Sequence, residues 1–388
     1  LKATGIATAA ADALSKGKHN MRDGQIRYLK QWEKQRTRSM YEMMFPEDSK
    51  AFVDYYYQWK IEENEVIVME EAGPVQGPFF HVMIHLNPYI LWCGGTQMQI
   101  PYLVAVATHP DCRRQGKMGQ VMGQALRDLE KKHTPFTFLL PANSMYYLGL
   151  GFVYFPCNNQ SKIRQYTERQ TIRAAQADRF LPEGTWQKAS KETLSELADF
   201  SNQILKERYD IFITRDKFYY ERLLQETAVE EGGVLLLKKE SHVCGLLVYA
   251  MEKADSEGRC RAQVKELLLE EEVLEEEAEL ICIKALSEVK VAKKEHLDVK
   301  LVSSEMMVRI ASLRDFVPWI KSKNQRNFYV KVTDSIVDAN NGCFWITTNR
   351  EGGKIQKIPK EQVTRKIDIS MLAQELLNES SVYLNEWV

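Results

Sequence analysis

Between Val104 and Gly119 the sequence reads Val-Ala-Val-Ala-Thr-His-Pro-Asp-Cys-Arg-Arg-Gln-Gly-Lys-Met-Gly, and this stretch restricts the fold more than any other. An apolar run ending at Thr108 predicts a buried strand. After a polar loop, Met118, Met122, Ala125 and Leu129 recur at the spacing of a helix face. A buried strand feeding a helix through a glycine-bearing loop places the chain among layered α/β folds, and the helix start exposes backbone N–H groups without intrahelical partners. Arg113-x-x-Gly116-x-Met118-Gly119 at that junction predicts an anion site. Gly116 lets backbone approach a ligand closely, and each charge-assisted hydrogen bond there contributes roughly 1.5 to 3 kcal/mol.

Around this junction the elements follow as strand (Gly24 to Lys30), helix (to Phe45), a break at Pro46, a second helix, then strands Glu65 to Glu70, Phe79 to Leu86 and Gln99 to Thr108. The helix after the loop, strand Phe136 to Leu140, a short helix through Tyr147 and strand Phe152 to Phe155 complete a mixed α/β unit. A second unit has helices Glu192 to Arg208 and Lys217 to Glu226, and strands Val234 to Lys239, Val243 to Met251 and Gln263 to Leu269. It repeats the first plan in degraded form, with the Glu-rich run from Glu270 to Glu279, a solvated helix face, in place of a glycine loop. A third unit carries strands Met307 to Ile310, Phe328 to Val332 and Cys343 to Thr347, and helices Leu313 to Ile320 and Ile369 to Leu377. The expected division is an N-terminal extension 1–20, then units 21–157, 158–296 and 297–388, consistent with a length of 388 residues.

Composition narrows the function classes. Lys plus Arg number 52 and Asp plus Glu 53, so no global field favours nucleic acid or an anionic membrane. The longest apolar stretch, Phe79 to Cys93, is broken by His81, His85, Asn87 and Pro88, which excludes a bilayer-spanning helix there. Asp12, Lys16 and Lys18 interrupt the first twenty residues where a secretory signal needs an unbroken apolar core. The seven cysteines form no close pair and read as thiols of a reducing cytoplasm. His81 and His85 have no evident third ligand, so no metal is expected, and His109 reads as a turn residue.

The Arg113-to-Gly119 segment resembles motif A of the GNAT superfamily of N-acetyltransferases, with Met118 standing where glycine or alanine is usual. That departure, together with Asn143-Ser-Met-Tyr146-Tyr147-Leu-Gly149-Leu-Gly151-Phe152, is similar to the Eis (enhanced intracellular survival) branch. The resemblance implies tandem GNAT domains, the second degenerate, and a C-terminal sterol-carrier-like domain. It implies acetyl-coenzyme A as cosubstrate: Val106, Ala107 and Thr108 on the pantetheine arm, Arg114, Gln115, Gly116, Lys117, Met118 and Gly119 around the pyrophosphate, and Asn143 beside the thioester. It further implies Tyr147 as general acid, the carboxylate of Val388 as general base, and a hexameric homo-oligomer.

Those roles suit amine acetylation. An alkyl ammonium must lose a proton before it attacks, and a carboxylate raised by apolar neighbours such as Tyr383 and Trp387 can take it. A phenol can return a proton to the departing thiolate, contributing about 10²- to 10⁴-fold. The expected acceptor is a primary amine of a polycationic small molecule, aminoglycoside-like, with polyamines or lysine side chains as rivals. Asp48, Asp54, Tyr55 and Trp59 are candidates to line its pocket. Two other readings stand beside this one: an apolar-ligand-binding module on a GNAT scaffold, and an acyltransferase for longer chains in which Met118 and Met122 face the cleft.

Overall fold

The computed structural model describes residues 24–71, 79–156, 182–252, 260–271, 275–291, 297–302 and 304–387. The expected extension 1–20 and Val388 lie outside them. In chain order the strands are β1 (Gln25–Tyr28), β2 (Glu65–Glu71), β3 (Phe79–Cys93), β4 (Thr96–Thr108), β5 (Phe136–Leu139), β6 (Val153–Tyr154), β7 (Thr185–Lys188), β8 (Ile211–Ile213) and β9 (Gly233–Lys239). They continue with β10 (His242–Glu252), β11 (Cys260–Leu269), β12 (Leu297–Leu301), β13 (Met307–Ile310), β14 (Arg326–Thr333), β15 (Gly342–Asn349), β16 (Gly352–Lys357), β17 (Arg365–Asp368) and β18 (Val382–Tyr383). Helices are α1 (Arg38–Met44), α2 (Lys50–Tyr55), α3 (Lys117–Lys131), α4 (Met145–Leu148), α5 (Leu194–Arg208), α6 (Lys217–Val229), α7 (Glu275–Glu288), α8 (Leu313–Phe316) and α9 (Ile369–Leu377).

Three sheets organise these elements, in a mixed α/β arrangement. The largest runs β1-β2-β3-β4-β5-β13-β6, with β8 on β3 and β18 on β8. Two features depart from the sequence reading. Strand β3 continues past Leu86 to Cys93, because Pro88 is set opposite Pro101 and both strands share the position lacking an N–H. Strand β13, placed by sequence in the third unit, pairs antiparallel with β5 (Val308↔Phe138) and with β6 (Val308↔Val153), and so sits inside the first sheet.

The second sheet runs β12-β11-β10-β9-β7, and β11 pairs with β12 in parallel along five positions, from Cys260↔Leu297 to Val264↔Leu301. The third runs β16-β15-β14-β17. Its inner residues Phe328, Val330, Val332, Phe344 and Ile346 share one apolar core with Tyr102, Phe136, Phe138, Val308 and Ile310 of the first sheet and with α9. The opposite face of the first sheet is covered by α3 through Val121, Met122, Ala125, Leu126 and Leu129. The helix thus lies where its 3.6-residue periodicity points its apolar side.

Candidate functional site

Strand β4 pairs with β5 at Tyr102↔Phe138 alone, whereas Ala107 and Thr108 remain paired with Met83 and Val82 of β3. Ala105, at φ 49°, breaks the regular pleat beyond the fork. From Val104 to Thr108 one edge of β4 therefore faces a gap, at the level where the loop enters α3. The corresponding parallel pair of the second sheet stays closed over five positions, so the fork belongs to the first sheet.

The loop itself turns sharply. Pro110–Cys112 form one 3-10 turn, Arg114 has φ 59°, and Gly116 at φ 73° is the N-cap of α3. A Cβ at Gly116 would meet nothing within 4 Å, so its glycine serves conformation and an open outer side, not internal packing. Arg114 and Gln115 are exposed, with Gln115 Nε2 donating to the Asp111 carbonyl at 3.0 Å. Lys117 differs from its neighbours: its ammonium is buried against His81 Nδ1 at 3.0 Å, leaving only its backbone for the loop mouth. Burial, and then the Lys117 charge, pushes the His81 imidazole below its usual value.

Met122 is fully buried in the α3 core, and Met118 is partly buried and packs against the same cluster. Cys112 is likewise fully buried, and burial pushes its thiol up. Val106, Met118 and Tyr147 join one cluster, which brings the strand edge, the helix start and the tyrosine together.

Tyr147 lies on α4 with its ring 5.7 Å from that of Phe152. Its side chain is 7% exposed, against 64% for the adjacent Tyr146. Burial, reinforced by Tyr146, pushes the Tyr147 phenol up to about 12. Asn143 is exposed, and its side-chain oxygen accepts from the Met145 amide at 3.0 Å, in the turn that leads into α4. After α4 the chain returns through Gly151, and Arg309 Nε of β13 donates to the Leu150 carbonyl at 2.7 Å. A strand far along the sequence thereby fixes the turn that carries Tyr147.

A cavity of about 680 Å³ lies along β3 and β4, lined by residues 87–90 and by Gln97 and Gln99, and is linked to the fork through Tyr89, whose ring packs on that of Tyr102. It forms where β3 changes neighbours: β2 leaves at Leu86, β8 joins at Leu91, and residues 87–90 between them line the wall. Helix α6 supplies a second wall, and the C-terminal segment, held by the parallel pairing of β18 with β8, delivers Glu386. Tyr219 donates to Glu386 Oε1 at 2.8 Å, and Tyr89 is a second phenol against the same carboxylate. Burial pushes Glu386 up to about 7, against the opposing pull of Lys60 and the Tyr219 hydrogen bond. The Tyr89 ring packs 5.9 Å from that of Tyr102, whose phenol senses Glu386 and Glu226 on one side and Tyr147 on the other.

Sequence reading missed Glu386; the available signal was a single carboxylate inside the apolar run Tyr383 to Trp387. The alternative amine pocket does not assemble. Asp54 is tied to Arg38 and Lys50, Asp48 accepts from Tyr41 at 2.8 Å, and Trp59 stands half exposed elsewhere. Of that group Tyr55 alone reaches a cavity residue, Glu226, at 3.4 Å. His85 pairs with the Tyr56 hydroxyl at 2.9 Å, and burial pushes it down to about 3. Among the described residues no group of three metal-ligating side chains converges, and no helix is long and apolar enough to cross a membrane.

Residues 25–155 match the profile of the acetyltransferase (GNAT) domain. No curated protein matches the chain. Among solved structures, a probable N-acyltransferase from Enterococcus faecalis is similar at TM-score 0.64 and 13% identity, covering 90% of this chain and 88% of its own. A GCN5-related N-acetyltransferase from Anabaena variabilis is similar at 0.63 and 13%, covering 92% and 94%. Eis1 from Mycobacterium abscessus is similar at 0.58 and 13%, covering 91% and 89%. At these identities the likeness is one of fold, extending over nearly the whole of each chain.

Proposed function

We propose that the chain, whose residues 25–155 match the acetyltransferase (GNAT) domain, transfers acetyl from acetyl-coenzyme A directly to the primary amine of a small molecule. The observation that carries this reading is the β4–β5 fork beside the N-terminus of α3, within the segment that matches the acetyltransferase domain. In this reading the pantetheine arm lies along Val106, Ala107 and Thr108. The amides opening α3 and the loop residues Arg114, Gln115, Gly116, Met118 and Gly119 hold the pyrophosphate, with Lys117 contributing its backbone. Asn143 borders the thioester.

The amine nitrogen attacks the thioester carbonyl, the C–N bond forms, the C–S bond breaks, and Tyr147 gives its proton to the coenzyme A thiolate. Pushed up to about 12, the phenol keeps its proton at neutral pH and so is present as a donor, and its transfer to a less basic thiolate, with a reference value of about 8.5, runs uphill. The ammonium proton goes to a carboxylate of the C-terminal segment, assigned by the family resemblance to Val388. Glu386 is the described carboxylate of that segment that lines the cavity. Mass spectrometry of the full chain incubated with acetyl-coenzyme A and an amine panel tests the reading: a product heavier by one acetyl group is expected, and its absence with every amine overturns it.

A further inference from the structure

We infer that Glu386 is the residue that receives a charged amino group of the acceptor and that the cavity favours an acceptor with one such group over the polycation expected from sequence. This inference rests on the acyl-transfer reading for the identity of the cavity. It is carried by the ion pairs of the lining. Of the carboxylates that line the cavity, Glu63 is bound to Arg222 and Glu226 lies 3.7 Å from Lys60. Asp216 is exposed and accepts from the Tyr219 amide at 2.7 Å as the N-cap of α6. The third lining cation, Arg215, is bound by both carboxylate oxygens of Glu266, at 2.6 and 2.9 Å.

Glu386 is what remains. It is 7% exposed and, among the described residues, the only buried lining carboxylate without a cation at ion-pair distance. Its hydrogen-bond donors are phenols, which orient a carboxylate without cancelling its charge. One buried, oriented carboxylate with no described cation at ion-pair distance is a receptor for one ammonium; the rings of Tyr89 and Tyr219 beside it already carry Lys60 and Arg215 over their faces. A second ammonium would meet only Asp216, which is exposed and already caps α6, while the paired cations Lys60, Arg215 and Arg222 crowd the rest of the lining. The other walls are side-chain amides and hydroxyls, with Asn87, Gln97, Gln99, Asn202 and Thr214 suited to a polar neutral body.

The test is calorimetric titration of the full chain, without cosubstrate, using 2-phenylethylamine and glucosamine as single-amine probes and spermidine as the polycation. One site for the single amines is expected, weakened about 10- to 100-fold in Glu386→Gln. Tighter binding of spermidine than of both single amines, or single-amine binding indifferent to Glu386→Gln in a folded variant, overturns the inference. Arg222→Ala provides a gain in place of a loss: it frees Glu63, and spermidine binding is expected to tighten, while no change there also counts against the charge argument. Because binding is read without turnover, an inactive protein that still binds single amines through Glu386 refutes the acyl-transfer reading alone.

Discussion

The Arg309 guanidinium donates to Asp334 Oδ1 at 2.7 Å with both side chains essentially sealed from solvent, at 1% and 0% exposure. The same Asp334 accepts from the Ile336 and Val337 amides and from Asn340 Nδ2, and Arg309 also donates to the Leu150 carbonyl beside Tyr147. Burial pushes the Asp334 carboxyl up, but Arg309 and these donors outweigh it and hold it below the usual range. Asp334→Ala leaves a buried guanidinium unpaired and is expected to cost about 3 to 5 kcal/mol. Denaturant unfolding measures the loss; a change under about 1 kcal/mol would show that water or another group replaces the carboxylate.

Tyr147→Phe removes the proposed proton donor while keeping the ring against Phe152. The expected result is a fall in kcat of about 10²- to 10⁴-fold, with the acceptor KM within a few-fold of its original value. Steady-state kinetics on the full chain decides it. Because the phenol is pushed up to about 12, the wild-type rate should show no loss from Tyr147 ionisation at any pH below about 10.

Glu386 makes stability fall as pH rises. Its folded value of about 7 lies above the ordinary value of 4.5, so the folded chain holds this proton more tightly than the unfolded chain. The stabilisation is fully present below about pH 4.5 and is lost through pH 7, amounting to about 3 kcal/mol. Tyr219, Tyr89, Lys60, Glu226 and Arg215 are the titratable and charged groups around it, and Lys60 with Arg215 sets how far burial prevails. Comparing wild type with Glu386→Gln by denaturant unfolding between pH 5 and 8 isolates the effect: the variant should lack this part of the slope. A bound ammonium favours the ionised carboxylate, so saturating amine should flatten the wild-type decline.

Two glycines separate cosubstrate binding from folding. Gly116→Ala places a Cβ in open space at a left-handed position, with an expected stability loss of about 1 to 2 kcal/mol and a clear rise in the acetyl-coenzyme A KM. Gly151→Ala, at φ 82°, sets its Cβ 2.8 Å from Arg309 Nε and should destabilise the chain by at least about 1 kcal/mol more than Gly116→Ala. Thermal unfolding alongside cosubstrate kinetics distinguishes the pair.

What was legible in the sequence was whatever local pattern encodes. The periodicity of Met118, Met122, Ala125 and Leu129 located α3, and the glycine-bearing loop before it marked the junction with β4. Pairings between distant segments have no local period. Met307 to Ile310 read correctly as a strand, yet nothing in those four residues names Phe136 to Leu139 as their partner. The three-residue β8 is too short to show an alternation, and without it neither the cavity wall nor the docking of Val382 and Tyr383 could be anticipated. Lys117 stood in the loop motif as one cation among several. Its burial against His81 depends on the end of β3 lying beneath the α3 N-terminus, a relation set by the assembled sheet.

The position of β13 has a consequence for how the chain comes to be folded. Its partners β5 and β6 are made more than a hundred and fifty residues before Arg309, so during synthesis they wait as open edges with unpaired backbone groups. The sheet that carries the fork closes only after the intervening segment has been produced, which makes it a late event with a high loop-closure cost. Cutting the chain after residue 156 would remove the strand that joins β5 to β6 and the guanidinium that fixes the Tyr147 turn. The acetyltransferase domain is thus contiguous as a sequence pattern but borrowed, in one strand, from the far end of the molecule.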